Sequence, residues 1–305
     1  PYLYYTSNGG TNWNSVTEMQ GGDASQTRVI GNSLDGNMIY IAFGGGLFYT
    51  DDHGQTSHNI SLPPEIMRFD IYNIAVHPEN PETLFLPTGS GGIARSTNNG
   101  YSWVQINEGI LNTSIKLLAP DPVDPGRIYC ASWIGEGLFR SDDYGQNWKF
   151  LNKGGIYHAF DDELLVDPVN NANVWFIGDV PYIHHSKDYG DSWNLINNPY
   201  DGGNLNFNSV YCMGQSPQNN DIMYALNNGF GYYKGYRNDD NNWDWHFLNL
   251  SEIDYSYTMV VHPDNADIIY SGYQPKPFQD WSMIRKSTDG GDTWAFQNSS
   301  AALVA

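Results

Sequence analysis

Residues 286–294 read KSTDGGDTW, a Ser/Thr-x-Asp/Asn-x-Gly-x-x-Trp box set between the short runs MIRKS and WAFQ. The same box recurs at Thr6-Asn8-Gly10-Trp13, Ser96-Asn98-Gly100-Trp103, Ser141-Asp143-Gly145-Trp148 and Ser186-Asp188-Gly190-Trp193. A partial copy, Thr50-Asp52-Gly54, has Ser57 where Trp is expected, and the stretch 232–247 keeps only Trp245 near the expected place. From Trp13 through 57, 103, 148, 193 and 245 to 294 the steps are 44, 46, 45, 45, 52 and 49 residues. A repeat of that length with aromatic-rich strands is the size of a four-stranded propeller blade.

Each box follows one strand-like run and precedes another, so it is predicted to be the turn of a β-hairpin. The Asp or Asn side chain suits bonds to backbone N–H groups of its own turn, Gly supplies positive φ, and Trp covers the hairpin. The boxes are therefore read as structural, not as a row of ligand carboxylates. Before each hairpin stands a second element, strand–turn–strand, as in IAVHPENPETLFL and MVVHPDNADIIYSG. His77 and His262 in these turns are read as turn chemistry. With the strands named A to D, the box joins C to D.

The expected fold is all-β: one seven-bladed β-propeller of four-stranded antiparallel blades over residues 1–305. The chain opens at strand C of its first blade and ends in SSAALVA, so residues 299–305 are predicted to supply an inner strand that closes that blade with the N-terminal hairpin. The abrupt ends read as a trimmed product or a piece of a longer protein.

Composition narrows the function. The net charge is −20 with 14 Lys and Arg, which argues against nucleic acid and against anionic membrane surfaces. No apolar run approaches the roughly 18 residues of a membrane span. Cys130 and Cys212 lie in strand-like runs of non-neighbouring repeats, which predicts two buried free thiols. No Cys/His cluster suggests zinc, and Asp161-Asp162-Glu163 alternate faces along a strand, a poor cage for Ca²⁺. Neither a metal nor a cofactor is expected.

In a propeller the A–B and C–D turns share one end, and the B–C and D–A loops the other. Functional residues are expected on those freer loops. The B–C loops supply Trp133, Glu136, Asp179, Phe278, Asp280 and Trp281, and the D–A loops supply Tyr157, His158 and Asp161. Aromatic rings stack on sugar faces and carboxylates accept hydroxyl hydrogen bonds, so this mixture suits a glycan.

The box together with the His-Pro turn resembles the BNR, or Asp-box, repeat superfamily of sialidases, xyloglucanases and sortilin-type receptors. The run GLFRSDDYGQNW, residues 137–148, is most similar to the xyloglucanase group. Sialidases carry a Phe/Tyr-Arg-Ile-Pro run and an arginine triad; that run is absent here and the seven arginines are scattered. The xyloglucanase resemblance implies a glycoside hydrolase if the chain is catalytic. It also implies a cleft between two propellers with one catalytic Asp from each, so that one propeller is half a site. The expectation is thus a secreted or cell-surface propeller that binds or cleaves a glycan through its loop end. The alternative is a non-catalytic structural or protein-interaction module of a larger surface or filamentous assembly, with a protein partner or neighbouring subunit.

Overall fold

A computed structural model describes residues 4–15, 28–31, 37–43, 46–66, 71, 73–111, 113–132, 137–151, 163–178, 182–195, 210–216, 219–227, 231–238, 243–248, 255–274 and 283–296. Every regular element among them is a strand. The chain begins with a two-stranded hairpin, β1 (Tyr4–Tyr5) and β2 (Asn14–Ser15). The first blade is β3 (Arg28–Gly31), β4 (Ile39–Phe43), β5 (Gly46–Thr50) and β6 (His58–Ile60). The second is β7 (Ala75–Val76), β8 (Leu84–Pro87), β9 (Ile93–Ser96) and β10 (Val104–Gln105). The third is β11 (Ile115–Pro120), β12 (Ile128–Ser132), β13 (Leu138–Ser141) and β14 (Lys149–Phe150).

The fourth blade is β15 (Glu163–Val166), β16 (Val174–Gly178), β17 (Tyr182–Ser186) and β18 (Asn194–Leu195). The fifth is β19 (Val210–Ser216), β20 (Asn219–Asn227), β21 (Gly231–Arg237) and β22 (Trp243–Leu248). The sixth is β23 (Tyr255–His262), β24 (Asn265–Gln274), β25 (Met283–Ser287) and β26 (Ala295–Phe296). Each blade pairs its strands antiparallel in chain order, which makes the fold a β-propeller.

The expected blade number is corrected. Six four-stranded blades, not seven, are present among the described residues. The spacing of boxes counts C–D hairpins, and the first box brings only those two strands, β1 and β2. Residues 299–305, expected to complete that sheet, lie outside the described residues. The degenerate repeat, by contrast, is a full blade: β21 and β22 pair from Tyr232↔Leu248 to Arg237↔Trp243 without a box.

Contacts divide the chain into two compact units, one holding the first three blades and the turn Gly190–Ser192, the other the last three blades and the turn Thr6–Asn12. Within each unit the core lies between successive blades. Tyr40, Leu47 and Ile60 of the first blade pack with Leu84, Leu86 and Ala94 of the second. Phe85 and Ile93 of the second pack with Leu118, Cys130 and Phe139 of the third. In the other unit Trp175 and Ile177 meet Met223, Trp243 and Trp245, and Tyr224 and Tyr232 meet Met259 and Ile269. Burying such faces, at about 25 cal/mol per Å² of apolar surface, is what favours stacking the sheets. Both cysteines are buried free thiols, and burial pushes the Cys130 thiol well up. No helix among the described residues is long and apolar enough to cross a membrane.

Candidate functional site

The box turns are closed systems. Ser141 Oγ donates to Asp143 Oδ1 at 2.8 Å and accepts the Gly145 N–H at 2.8 Å, while Asp143 Oδ1 also accepts the Asn147 N–H at 2.8 Å. The set repeats at Thr50-Asp52, Ser96-Asn98 and Ser287-Asp289. These bonds hold the Asp52 carboxyl at about 2, chiefly through the backbone N–H of Thr56, and Asp289 at about 2, chiefly through the Thr293 hydroxyl. Two successive residues take positive φ in each turn, for example Tyr144 at 61° and Gly145 at 81°. The carboxylates expected to be structural are therefore engaged in their own turns.

The A–B turns behave as the sequence predicted. His77 Nδ1 accepts the N–H groups of Glu79 and Asn80 at 3.2 and 3.0 Å, and His262 Nδ1 that of Asp264 at 3.1 Å. Asp121 and Asp167 do the same work in the third and fourth blades.

Trp133, Glu136, Tyr157, His158, Asp161, Asp179, Phe278, Asp280 and Trp281 all lie outside the described residues. The strand ends that carry several of them are described. Ser132 N–H donates to Gly137 O at 2.7 Å, pinning both ends of the loop with Trp133 and Glu136. Gly178 pairs with Tyr182 on either side of Asp179, and Tyr273 pairs with Met283 below the loop with Phe278, Asp280 and Trp281. Among the described residues no three His, Cys, Asp or Glu side chains are placed to hold a metal ion.

A second feature was not anticipated. At the box-turn end of the first two blades a pocket of about 320 Å³ opens between β4–β6 and the turn of the second blade. Its walls include Tyr40, Tyr49, Asp51, Asn59, Asn99 and Tyr101, over a floor of Met38 and Ile60. Tyr40 OH donates to Asn99 Oδ1 at 3.0 Å, and its hydroxyl is pushed up to about 12 by burial, with help from Glu82 and Tyr49. Gly100 keeps the wall close: a Cβ there would stand 2.8 Å from Ile60 Cγ2.

What sets this junction apart is the residue one place before each box, whose meaning the sequence alone does not give. There Arg95 and Arg140 reach the next turn, Arg95 Nη1 to Tyr144 O at 2.8 Å and Arg140 Nη1 to Asp191 Oδ1 at 3.2 Å. The first blade has Tyr49 at that place, and among the described residues no arginine or lysine lines the gap.

No protein-family profile matches the chain. Its curated relatives are xyloglucanases. Xyloglucanase Xgh74A of Acetivibrio thermocellus is 24% identical over 338 residues, covering 92% of this chain and 39% of the relative. The chain thus spans well under half the length of the enzyme it matches. Among solved structures, the GH74 xyloglucanase from Xanthomonas campestris superposes with a TM-score of 0.70 at 18% identity, over 97% of this chain and 47% of that one. YCF48 bound to D1 peptide superposes with a TM-score of 0.63 at 15% identity, over 92% and 88%. The chain is a xyloglucanase-like propeller, and the structural likenesses establish the fold alone.

Proposed function

We propose that this chain is a glycan-directed propeller that acts outside the cell and binds a xyloglucan-type polysaccharide through its B–C and D–A loops. The observation that carries this is the sequence likeness to a xyloglucanase along 92% of the chain. The loop residues suit it chemically. Trp133, Tyr157, Phe278 and Trp281 offer ring faces, and Glu136, Asp161, Asp179 and Asp280 offer acceptors. The net charge of −20 fits an uncharged polymer better than an anionic one. Hydrolysis needs two carboxylates roughly 5 to 9.5 Å apart across the scissile bond. A chain covering 39% of its relative supplies binding by itself, and cleavage only with a second carboxylate-bearing half.

Affinity electrophoresis in xyloglucan gels, with a reducing-end assay, tests the reading. Xyloglucan should retard the protein, and the double variant Trp133→Ala/Trp281→Ala should weaken binding at least about tenfold by the stacking it removes. Absence of both retardation and new reducing ends defeats the proposal. The likeness to YCF48 bound to D1 peptide favours a second reading, a peptide-binding module. Peptide binding without glycan binding would select it.

A further inference from the structure

We propose that the pocket between the first two blades is a second sugar-binding site, one that holds a neutral ring of a glycan at the box-turn end. Antiparallel blades put the C–D turns and the B–C loops at opposite ends, so this pocket is separate from the loop site proposed above. Its ligand class rests on that glycan reading; its position and its selection for neutral ligands rest on the pocket itself.

Three observations carry the inference. The first is what stands at the junction. At the two following junctions an arginine one residue before the box reaches an acceptor on the next turn. The first blade has the uncharged Tyr49 at that place, and Tyr49 lines the pocket. A volume of about 320 Å³ lies at the small end of ligand pockets, enough for a short saccharide and too little for an extended chain.

The second is the chemistry of the walls. Among the described residues no Lys or Arg lines the pocket, so a phosphate or carboxylate finds no counter-charge from them. Asp51 adds a carboxylate, which repels anions and accepts hydroxyl protons. His58 Nε2 stands 3.9 Å from it, with both side chains about half exposed. The Asn99 carbonyl oxygen accepts the Tyr40 hydroxyl, and Asn99 Nδ2 adds a donor. Asn59 and Ser61 add groups that both donate and accept. A ring bearing several hydroxyls matches the polar groups of this set, and its apolar face suits Met38 and Ile60.

The third is Tyr101. It is 85% exposed, an aromatic ring held in solvent at the rim. The same place in the next two boxes is Gln146 and Asp191, both polar. Nothing in the turn needs the ring, since the box bonds are made by Ser96, Asn98 and backbone. A rim ring beside convergent polar groups is what stacking on a sugar face requires.

Methyl-labelled protein gives a direct test, because Met38 and Ile60 form the floor. Xyloglucan oligosaccharides should shift the Met38 ε and Ile60 δ1 signals saturably, and uronic-acid oligosaccharides of equal length should not. Tyr101→Ala should weaken that response at least tenfold with the melting curve unchanged. Asp51→Lys should abolish it for neutral sugars. If calorimetry shows xyloglucan oligosaccharides binding while both floor methyls stay silent, the pocket inference is overturned and the loop reading stands. If the floor responds and Trp133→Ala/Trp281→Ala changes no affinity, the pocket holds and the loop reading falls. No binding by either method overturns both, and a floor response to peptide alone overturns the pocket's sugar assignment.

Discussion

Asp143 shows how little of a box is left over for chemistry. One oxygen accepts the Ser141 hydroxyl and the Asn147 N–H, and the other accepts Asn147 Nδ2 at 2.7 Å. Burial is the largest single influence on Asp143 and opposes its ionisation, but the bonds from Asn147 and Ser141 together outweigh it, so the carboxyl lies below its usual value. Asp143→Ala removes those acceptors while the chain around them stays packed. Each lost bond is worth on the order of 1 kcal/mol. The expected result is a lower denaturation midpoint with glycan affinity unchanged; an intact midpoint and lost affinity would make Asp143 a ligand group. This much was legible from the sequence, because the spacing Ser-x-Asp-x-Gly dictates a local turn. The role of Tyr49 was not, because one aromatic residue before a box has no meaning until Arg95 and Arg140 are seen spanning their junctions.

At the scale of the strand, β17 puts His185 where other blades carry a bridging cation. The ring is buried, stacked on Trp175 with centroids 4.9 Å apart, and Nε2 lies 3.2 Å from Asn173 Oδ1. Burial first, then the Lys187 and Arg237 charges, pull its value from 6.5 down to about 4. The folded state therefore holds fewer protons than the unfolded state between those two values. Stability from this residue is complete above about 6.5 and is lost as the pH falls toward 4. The full loss is roughly 3 kcal/mol by linkage. Melting temperature should fall over that window in the native protein, and His185→Gln should flatten the fall. Equal slopes in the two proteins would place the titrating group elsewhere. Asp52 and Asp289 act in a lower window, their contribution present above 3.8 and lost as the pH falls through about 2. Elements of this kind were partly legible. Strand pairs followed from apolar runs and turn residues, whereas the blade count did not. Boxes mark hairpins, and among the described residues β1–β2 is a sheet of two strands only.

For the molecule as a whole, the informative contact joins its two ends in sequence. The turn Thr6–Asn12 lies against the last blade: Lys286 Nζ and Tyr270 OH both donate to Gly9 O, at 3.3 and 3.4 Å. This repeats, across 277 residues, the bridge that Arg95 makes to Tyr144 O within the first unit. Lys286 stands one place before its box, as Arg95 does. Its Nζ also lies over the Tyr270 ring, 5.2 Å from the centroid, so the two donors are held as a pair. Gly9 has a φ of 66°, and a Cβ there would come 3.5 Å from Lys286 Nζ, an ordinary contact. The bridge lies at the solvent-exposed surface, and solvent screening keeps its share of global stability small. Its effect should be local and visible in exchange. Lys286→Met should speed amide hydrogen exchange of Asn8, Gly10 and Asn12 several-fold and leave the box turns of the second and third blades unchanged. Lys286→Arg should restore protection, since guanidinium reaches the same carbonyl. Uniform acceleration in all box turns would show that Lys286 acts through global stability, and no change at residues 8–12 would show that the box's own hydrogen bonds hold the first turn without the last blade.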